Sequence, residues 1–323
     1  MLSVELILLV VLALAFAFSI GAHYTGACMG MPYAAGAIGV GRALLLLAPL
    51  AFLGAALASE GVEQTVGHGL LVAGSAPIFL AVAILASALL LTTAYNLVAL
   101  PTSTIQILVF STVGAALAGG YAVEWATLGR LLLVWILAPP IACGLGYLFG
   151  RIRSPREAKE ETKPSLAPRM AFALVAVGAI ASFAMGANDV ANASGALILS
   201  GNFTLVTAAL VGGAGLAVGA FTWGRPLLQT VAFRIVRLDP SMAFSAQLAQ
   251  AAVILGAVAF GLFTSINQVL VGAMIGTGLA RRRATLIAPA IRNILIGWAL
   301  GPISGLALGL GLGWAVLRAA GLG

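Results

Sequence analysis

The chain has 323 residues, 62% of them hydrophobic and 8% charged, with a formal net charge of +7. Soluble domains carry roughly 45–50% apolar residues, and a mean hydropathy of +1.12 excludes that class. The apolar runs are continuous rather than alternating, which excludes a transmembrane barrel and predicts an all-α, polytopic membrane protein.

In chain order, the first apolar run has no basic lead and exceeds a typical signal segment, so a transmembrane helix is predicted at 3–20 and no cleavage. Further crossings are predicted at 43–59, 70–95, 97–118 and 130–150. A charged, proline-containing stretch, "RIRSPREAKEETKPSLAPR" (151–169), then reads as a connector, and five equivalent crossings follow in 170–323. Each run approaches the roughly 20 residues a helix needs to cross hydrocarbon. Cys28 and Cys143 lie inside membrane segments without metal spacing and are expected to pack as small apolar residues.

The two parts, 1–150 and 170–323, echo each other. Shifted by 165, "FSIGAHYTGACMGMPYAAG" (18–36) lies over "FAMGANDVANASGALILSG" (183–201), matching Phe18 to Phe183, Gly21 to Gly186, Gly30 to Gly195 and Gly36 to Gly201. Shifted by 162, "TSTIQILVFSTVGAALA" (102–118) lies over "TSINQVLVGAMIGTGLA" (264–280), and Trp135 and Pro139 meet Trp298 and Pro302 one residue further on. An odd number of crossings per copy inverts the second copy in the membrane. One side then collects Arg42, Arg151, Arg153, Arg156, Lys159, Lys163, Arg169, Arg225, Arg234, Arg237 and Arg281 to Arg283, which is 13 of the 16 basic residues. The positive-inside rule makes that side cytoplasmic, with the linker, and puts both termini outside the plasma membrane. Topology accounts for these charges, so no nucleic-acid partner is expected. The loop "EGVEQTVGHG" (60–69), with His68, faces outside. Arg292 is expected to snorkel to the cytoplasmic face.

Inverted repeats with paired interrupted helices are the sequence pointer to a secondary transporter with a midplane site. Glycines around both "GA" motifs, and the breaks opening "PTSTIQ" at Pro101 and "FTSINQ" at Phe263, are the predicted interruptions. Half-helix N-termini suit an anion. Thr102, Ser103, Thr104, Thr264, Ser265, Gln106, Asn267 and Gln268 supply neutral donors around a tetrahedral oxyanion, with Asn188 and Asn192 adjoining. Asp189 needs another role, because a bare carboxylate repels an anion and is costly in a bilayer. With Asn188 and Asn192 it is the candidate cation-coupling group, a ligand for Na⁺, a carrier of H⁺, or an acceptor from protonated phosphate. His23, Tyr24 and Thr25 sit opposite it in the repeat and are candidates to line the site. No His-Glu-x-x-His pair, Walker loop or paired carboxylates point to an enzyme, and no cofactor is expected beyond Na⁺ or H⁺ as coupling ion.

"GANDVANASG" (186–195) resembles the signature of the inorganic phosphate transporter family, the PiT phosphate permeases, and the resemblance runs over nearly the whole chain. It implies re-entrant hairpins and symport of phosphate with Na⁺ or H⁺ by alternating access. Asn188, Asp189 and Asn192 match the signature, and Pro101, Ser103 and Thr104 match the Pro-x-Ser-Thr hairpin motif. Thr264 and Ser265 match its second copy, with Ile266 where the family has Thr. The first signature is altered to "GAHYTGACMG", as in the family's sulfate-permease branch. Phosphate is expected ahead of sulfate, because a protonated anion gains from an acceptor such as Asp189. An uncoupled anion channel or exchanger on the same scaffold is the further alternative. The expected partners are the anion, the lipid bilayer and a second copy in a homodimer.

Overall fold

The structure, a computed structural model, describes residues 4–72, 77–98, 102–152, 166–230, 239–282, 288–319 and 321. The first copy comprises α1 (Val4–His23), α2 (Thr25–Ala34), α3 (Val40–Ala58), α4 (Glu60–Gly67), α5 (Ile78–Leu97), α6 (Thr104–Ala118) and α7 (Trp125–Arg151). The second comprises α8 (Pro168–Leu199), α9 (Leu205–Trp223), α10 (Arg225–Thr230), α11 (Pro240–Ala259), α12 (Ile266–Arg281) and α13 (Ala288–Ala319). Pro101, Arg153, Arg156, Lys159, Lys163, Arg234, Arg237, Arg283 and the side chain of Arg292 lie outside the described residues.

Among the described residues, 8 helical segments are long and apolar enough to cross a membrane, α1 and α2 together forming one. Helices dominate because each satisfies its own backbone where no water is available. An apolar belt that includes Leu45, Leu57, Ile136, Phe172, Val206 and Ile303 stays exposed toward the space that lipid occupies.

The two copies interlock. α1 packs along α9 and α3 along α8, while α6 packs along α13 and α12 along α7. Close approach comes from glycines, and the contacts occur in repeat-related pairs. A Cβ on Gly21 would strike the Leu216 carbonyl, and one on Gly186 would strike that of Ala51, the same pair shifted by 165. Gly54 against Phe183 and Gly219 against Phe18 form a second such pair. Without a hydrophobic drive between helices in lipid, such small-residue contacts supply the packing. Gly36 and Gly201 also correspond, and both end their helices at φ +73°, where a side chain would be strained.

Several sequence expectations change. α8 runs unbroken through "GANDVANASG", so the predicted interruption at the second signature is not one. Its glycines admit neighbouring helices instead of unwinding the backbone. In the first copy the helix does falter, at Tyr24, with φ −95° and ψ 2° between α1 and α2. The predicted breaks at the hairpin motifs hold at residues 102–103 and 262–265, which are non-helical. They leave α6 with 15 residues and α12 with 16, roughly 22–24 Å at about 1.5 Å per residue and short of a ~30 Å core. The predicted crossing at 70–95 starts only at Ile78, because residues 70–72 are drawn sideways: Val72 N donates to Ala122 O and Glu124 N to Leu70 O. The predicted loop at 60–69 is mostly helix α4.

Candidate functional site

The two short helices place their N-termini in the interior. Ser103 caps α6 by accepting from Gln106 N, and Ser265 caps α12 by accepting from Gln268 N, each at 3.4 Å. Capping spends the Ser oxygens on the backbone but leaves the helix dipoles directed outward from both N-termini. The Gln106 and Gln268 amides then face each other, each donating to the other at 3.3 Å. Behind them lies a cavity of about 430 Å³ lined by Trp135, Trp298, Pro139, Pro302 and further apolar side chains. Gln106 and Gln268 line it as well, and the Trp298 indole N–H is buried without a partner, but among the described residues no charged side chain lines the cavity; the buried acid lies elsewhere.

That acid is Asp189, which is fully buried in α8. Asn188 Nδ2 donates to one carboxylate oxygen at 3.0 Å and Asn192 Nδ2 to the other at 3.2 Å. Asn188 also grips the backbone before α12: its Nδ2 donates to Thr264 O at 2.9 Å, and its Oδ1 accepts from Thr264 N at 3.0 Å. The signature helix and the second hairpin motif are thereby joined. From the other copy, Tyr24 reaches in. Its hydroxyl lies 2.9 Å from Thr104 Oγ1, which also receives Asn192 Nδ2 at 3.5 Å.

Three oxygens near this centre lack a hydrogen-bond partner although buried: Thr102 Oγ1, Thr264 Oγ1 and Asn192 Oδ1. Buried polar atoms are nearly always satisfied, so these three oxygens have bonding capacity that a bound ion or water can complete. The two threonines are repeat equivalents at the two hairpin motifs, and each hydroxyl is a donor for an anion. Asn192 Oδ1 and the Asp189 carboxylate are hard oxygens that fit a small cation such as Na⁺ as cargo.

His23 and its surroundings form the counterpart of the Asn188 clamp. His23 Nδ1 meets Asn96 Oδ1, its Nε2 lies 3.2 Å from Asn267 Nδ2, and Asn267 Nδ2 donates to Thr102 O at 3.3 Å. Asn96 continues the chain to Ser19. The His23 and Tyr24 rings meet edge to face with centroids 4.8 Å apart.

The structure therefore brings together Asn188, Asp189, Asn192, Thr104, Tyr24 and Thr264, with His23 and Asn267 adjoining. Thr25 bonds elsewhere: its hydroxyl donates to the carbonyls of Ala22 and Gly224, so it joins α2 to the start of α10. Ser103, Ser265, Gln106 and Gln268 lie at the two helix starts but spend hydrogen bonds on caps and on each other. Sequence reasoning missed Asn96, and it missed Gln247 and Gln250 on α11. Gln247 Nε2 donates to the carbonyls of Ala27 and Cys28 in the broken copy, and both glutamines keep a buried, unpartnered Oε1. Two amides three residues apart in an apolar helix were the available signal.

The family model described as "Phosphate transporter family" matches residues 20–155 and again 151–309. The chain belongs to this family. It is accordingly a membrane transporter built from two inverted-topology repeats. The sulfate permease CysP of Bacillus subtilis (strain 168) is 28% identical over 305 residues, covering 93% of this chain and 84% of that one. A putative phosphate permease of Haemophilus influenzae is 40% identical over 129 residues, 36% of this chain and 31% of its own length. Sodium-dependent phosphate transporter 1 of Homo sapiens is 32% identical over 174 residues, 50% of this chain and 26% of its own length. This chain thus matches less than a third of either phosphate protein. A solved structure titled "The sodium-dependent phosphate transporter" shares the fold, with a TM-score of 0.87 at 23% identity, covering 98% of this chain and 100% of that one.

Proposed function

We propose that this family member is a cation-coupled symporter of a tetrahedral inorganic oxyanion, working by alternating access between its two repeats. One observation carries the reading: unpartnered donors at repeat-equivalent threonines stand beside an unpartnered acceptor and a buried carboxylate. A cation at Asp189 and Asn192 offsets the carboxylate charge, so cation and anion favour each other's binding. The uncoupled channel or exchanger gains no support from a carboxylate held this carefully.

For the anion, two readings stand. Phosphate, the first expectation, relied on Asp189 accepting a proton from the substrate. Both Asp189 oxygens already accept from asparagines, and the position opposite holds Tyr24, whose hydroxyl can donate. The Tyr24, Thr102 and Thr264 hydroxyls are donors that suit a fully ionised anion, with the Asp189 and Asn192 oxygens left to the cation, and the long match to a sulfate permease supports the same choice. We therefore give sulfate precedence over phosphate. The coupling ion is Na⁺ or H⁺, the membrane is the plasma membrane, and the linker side is cytoplasmic by its charge.

Uptake of radioactive sulfate and phosphate into proteoliposomes, with and without inward Na⁺ or H⁺ gradients, tests this. Accumulation driven by one gradient and competed by the other anion less than by itself is expected. Equilibration indifferent to both gradients would refute symport, and phosphate uptake uncompeted by sulfate would reverse the substrate order.

A further inference from the structure

Asp189 is not alone among the described residues as a buried acid. Glu63, on α4, is 1% exposed. Ser194, on α8 five residues past Asp189, donates to its Oε1 at 2.5 Å, and the Ser59 hydroxyl bonds it as well. Ser194 has one proton to give, and the Val190 carbonyl lies within its reach at 3.0 Å. With Glu63 protonated, a continuous relay forms in which the Glu63 hydroxyl donates to Ser194 and Ser194 donates to Val190. With Glu63 ionised, Ser194 must turn back to it, and the carboxylate is left with only hydroxyl donors in an apolar setting.

α4 bridges the two halves of the functional site. Val66 packs on Gly195 and Gly67 on Ile198, both in α8. On the other side Thr65 Oγ1 donates to Gly261 O at 2.7 Å, in the turn that leads to Thr264 and Ser265. Its outer face, with Glu60, Gln64 and His68, is exposed. Charge near Glu63 is sparse. α9 and α11, which also pack on α4, carry no charged residue. α8 contributes Asp189 and, at its far end, Arg169; α3 has Arg42 near its start; α4 itself has Glu60, with His68 at its C-cap.

We propose that Glu63 is a proton-operated latch: protonated, it fastens α4 across the signature helix and the turn before the second hairpin motif; ionised, it releases α4 and admits water to that side of the site. Burial, opposed by the Ser194 and Ser59 bonds and reinforced by Glu60, raises the docked carboxyl to a pKa of about 7. A released, hydrated Glu titrates near its ordinary value of about 4.3. The docked form keeps its proton where the released form has lost it. Docking therefore weakens as pH rises between those two values, by up to about tenfold per pH unit, and is pH-independent outside them.

The test reads accessibility rather than transport, so it stands or falls separately from the symport reading. In nanodiscs, with Cys28 and Cys143 replaced by Ala, Val66→Cys is labelled by a small thiol reagent. Its rate is divided by that of an exposed Asn202→Cys reference, which removes the pH dependence of the thiol itself. Between pH 5.5 and 8 the ratio is expected to rise by about tenfold or more and to stay flat once Glu63→Gln is added. A flat ratio in the parent, or an undiminished rise in Glu63→Gln, which retains Asp189 and His68, overturns the latch. Should Glu63→Gln misfold, Ser194→Ala decides: it removes a donor that favours the ionised form, so the midpoint must move to higher pH, and an unmoved midpoint overturns the proposal.

Discussion

The two signature copies show how a duplicated scaffold keeps its geometry while dividing its chemistry. In α8 the sequence "GANDVANASG" forms an uninterrupted helix whose one acid is held by the two amides beside it. In the first copy "GAHYTGACMG" yields a helix that falters at Tyr24 and fills the equivalent space with a fully buried phenol. The glycine contacts with the opposite copy are nevertheless the same on both sides. Packing and charge are separable because the close approaches at Gly21 and Gly186 are made to backbone, at Leu216 and Ala51, and need no particular side chain at position 24 or 189. One copy keeps a buried carboxylate, and the other presents the uncharged phenol of Tyr24 at the equivalent position.

The comparison breaks most sharply at Asp189. Asp189→Asn should reduce gradient-driven accumulation in proteoliposomes to the level of protein-free vesicles while leaving insertion and thermal unfolding close to the parent. Retained accumulation would remove the asymmetry on which the symport reading rests. The scaffold should behave symmetrically instead: Gly21→Ala and Gly186→Ala each force a Cβ into a backbone carbonyl and should cost about 1–3 kcal/mol, seen as matched drops in melting temperature in detergent. A drop in only one would mean that the copies no longer pack alike.

Tyr24→Phe probes the neutral copy. It removes the hydroxyl's bond to Thr104, worth about 0.5–1.5 kcal/mol, and should raise the KM for the anion by roughly two- to tenfold with the gradient dependence intact. Loss of coupling in that variant would place Tyr24 in the cation path. The smallest effects belong to the caps. Ser103→Ala and Ser265→Ala should each cost about 0.5 kcal/mol, the low end for an N-cap, since both bonds are long at 3.4 Å. Unequal costs would show that one serine also holds the anion.

Much of this was legible in the sequence. Composition established a membrane-embedded helical fold, internal similarity established the duplication, and Asp189 stood out because a carboxylate among small apolar residues has no bland explanation that fits well. Legibility ended where a residue's meaning depends on what crosses it. Gly186 looked like a place to unwind a helix, whereas Ala51 from α3 needs that space. Thr25 looked like part of the site because it adjoins Tyr24, yet a helix turns its side chains by about 100° per residue and carries Thr25 toward Gly224. Gln247 and Gln250 went unread because nothing local reveals that α11 lies against the broken copy. Glu63 lay in an apparent external loop, and burial by α8 gives it a role.

The sequence by itself determined the solvent, the helices, the repeat and the identity of the central acid, because these follow from local composition and self-similarity. Only the tertiary structure decided which copy keeps a straight helix, which hydroxyls stay unpartnered and which second acid is buried. Those properties arise where helices from opposite copies meet, and hydrogen-bond satisfaction and desolvation at such crossings depend on neighbours far away in the chain, 88 residues for Asn192 and Thr104 and 131 for Ser194 and Glu63.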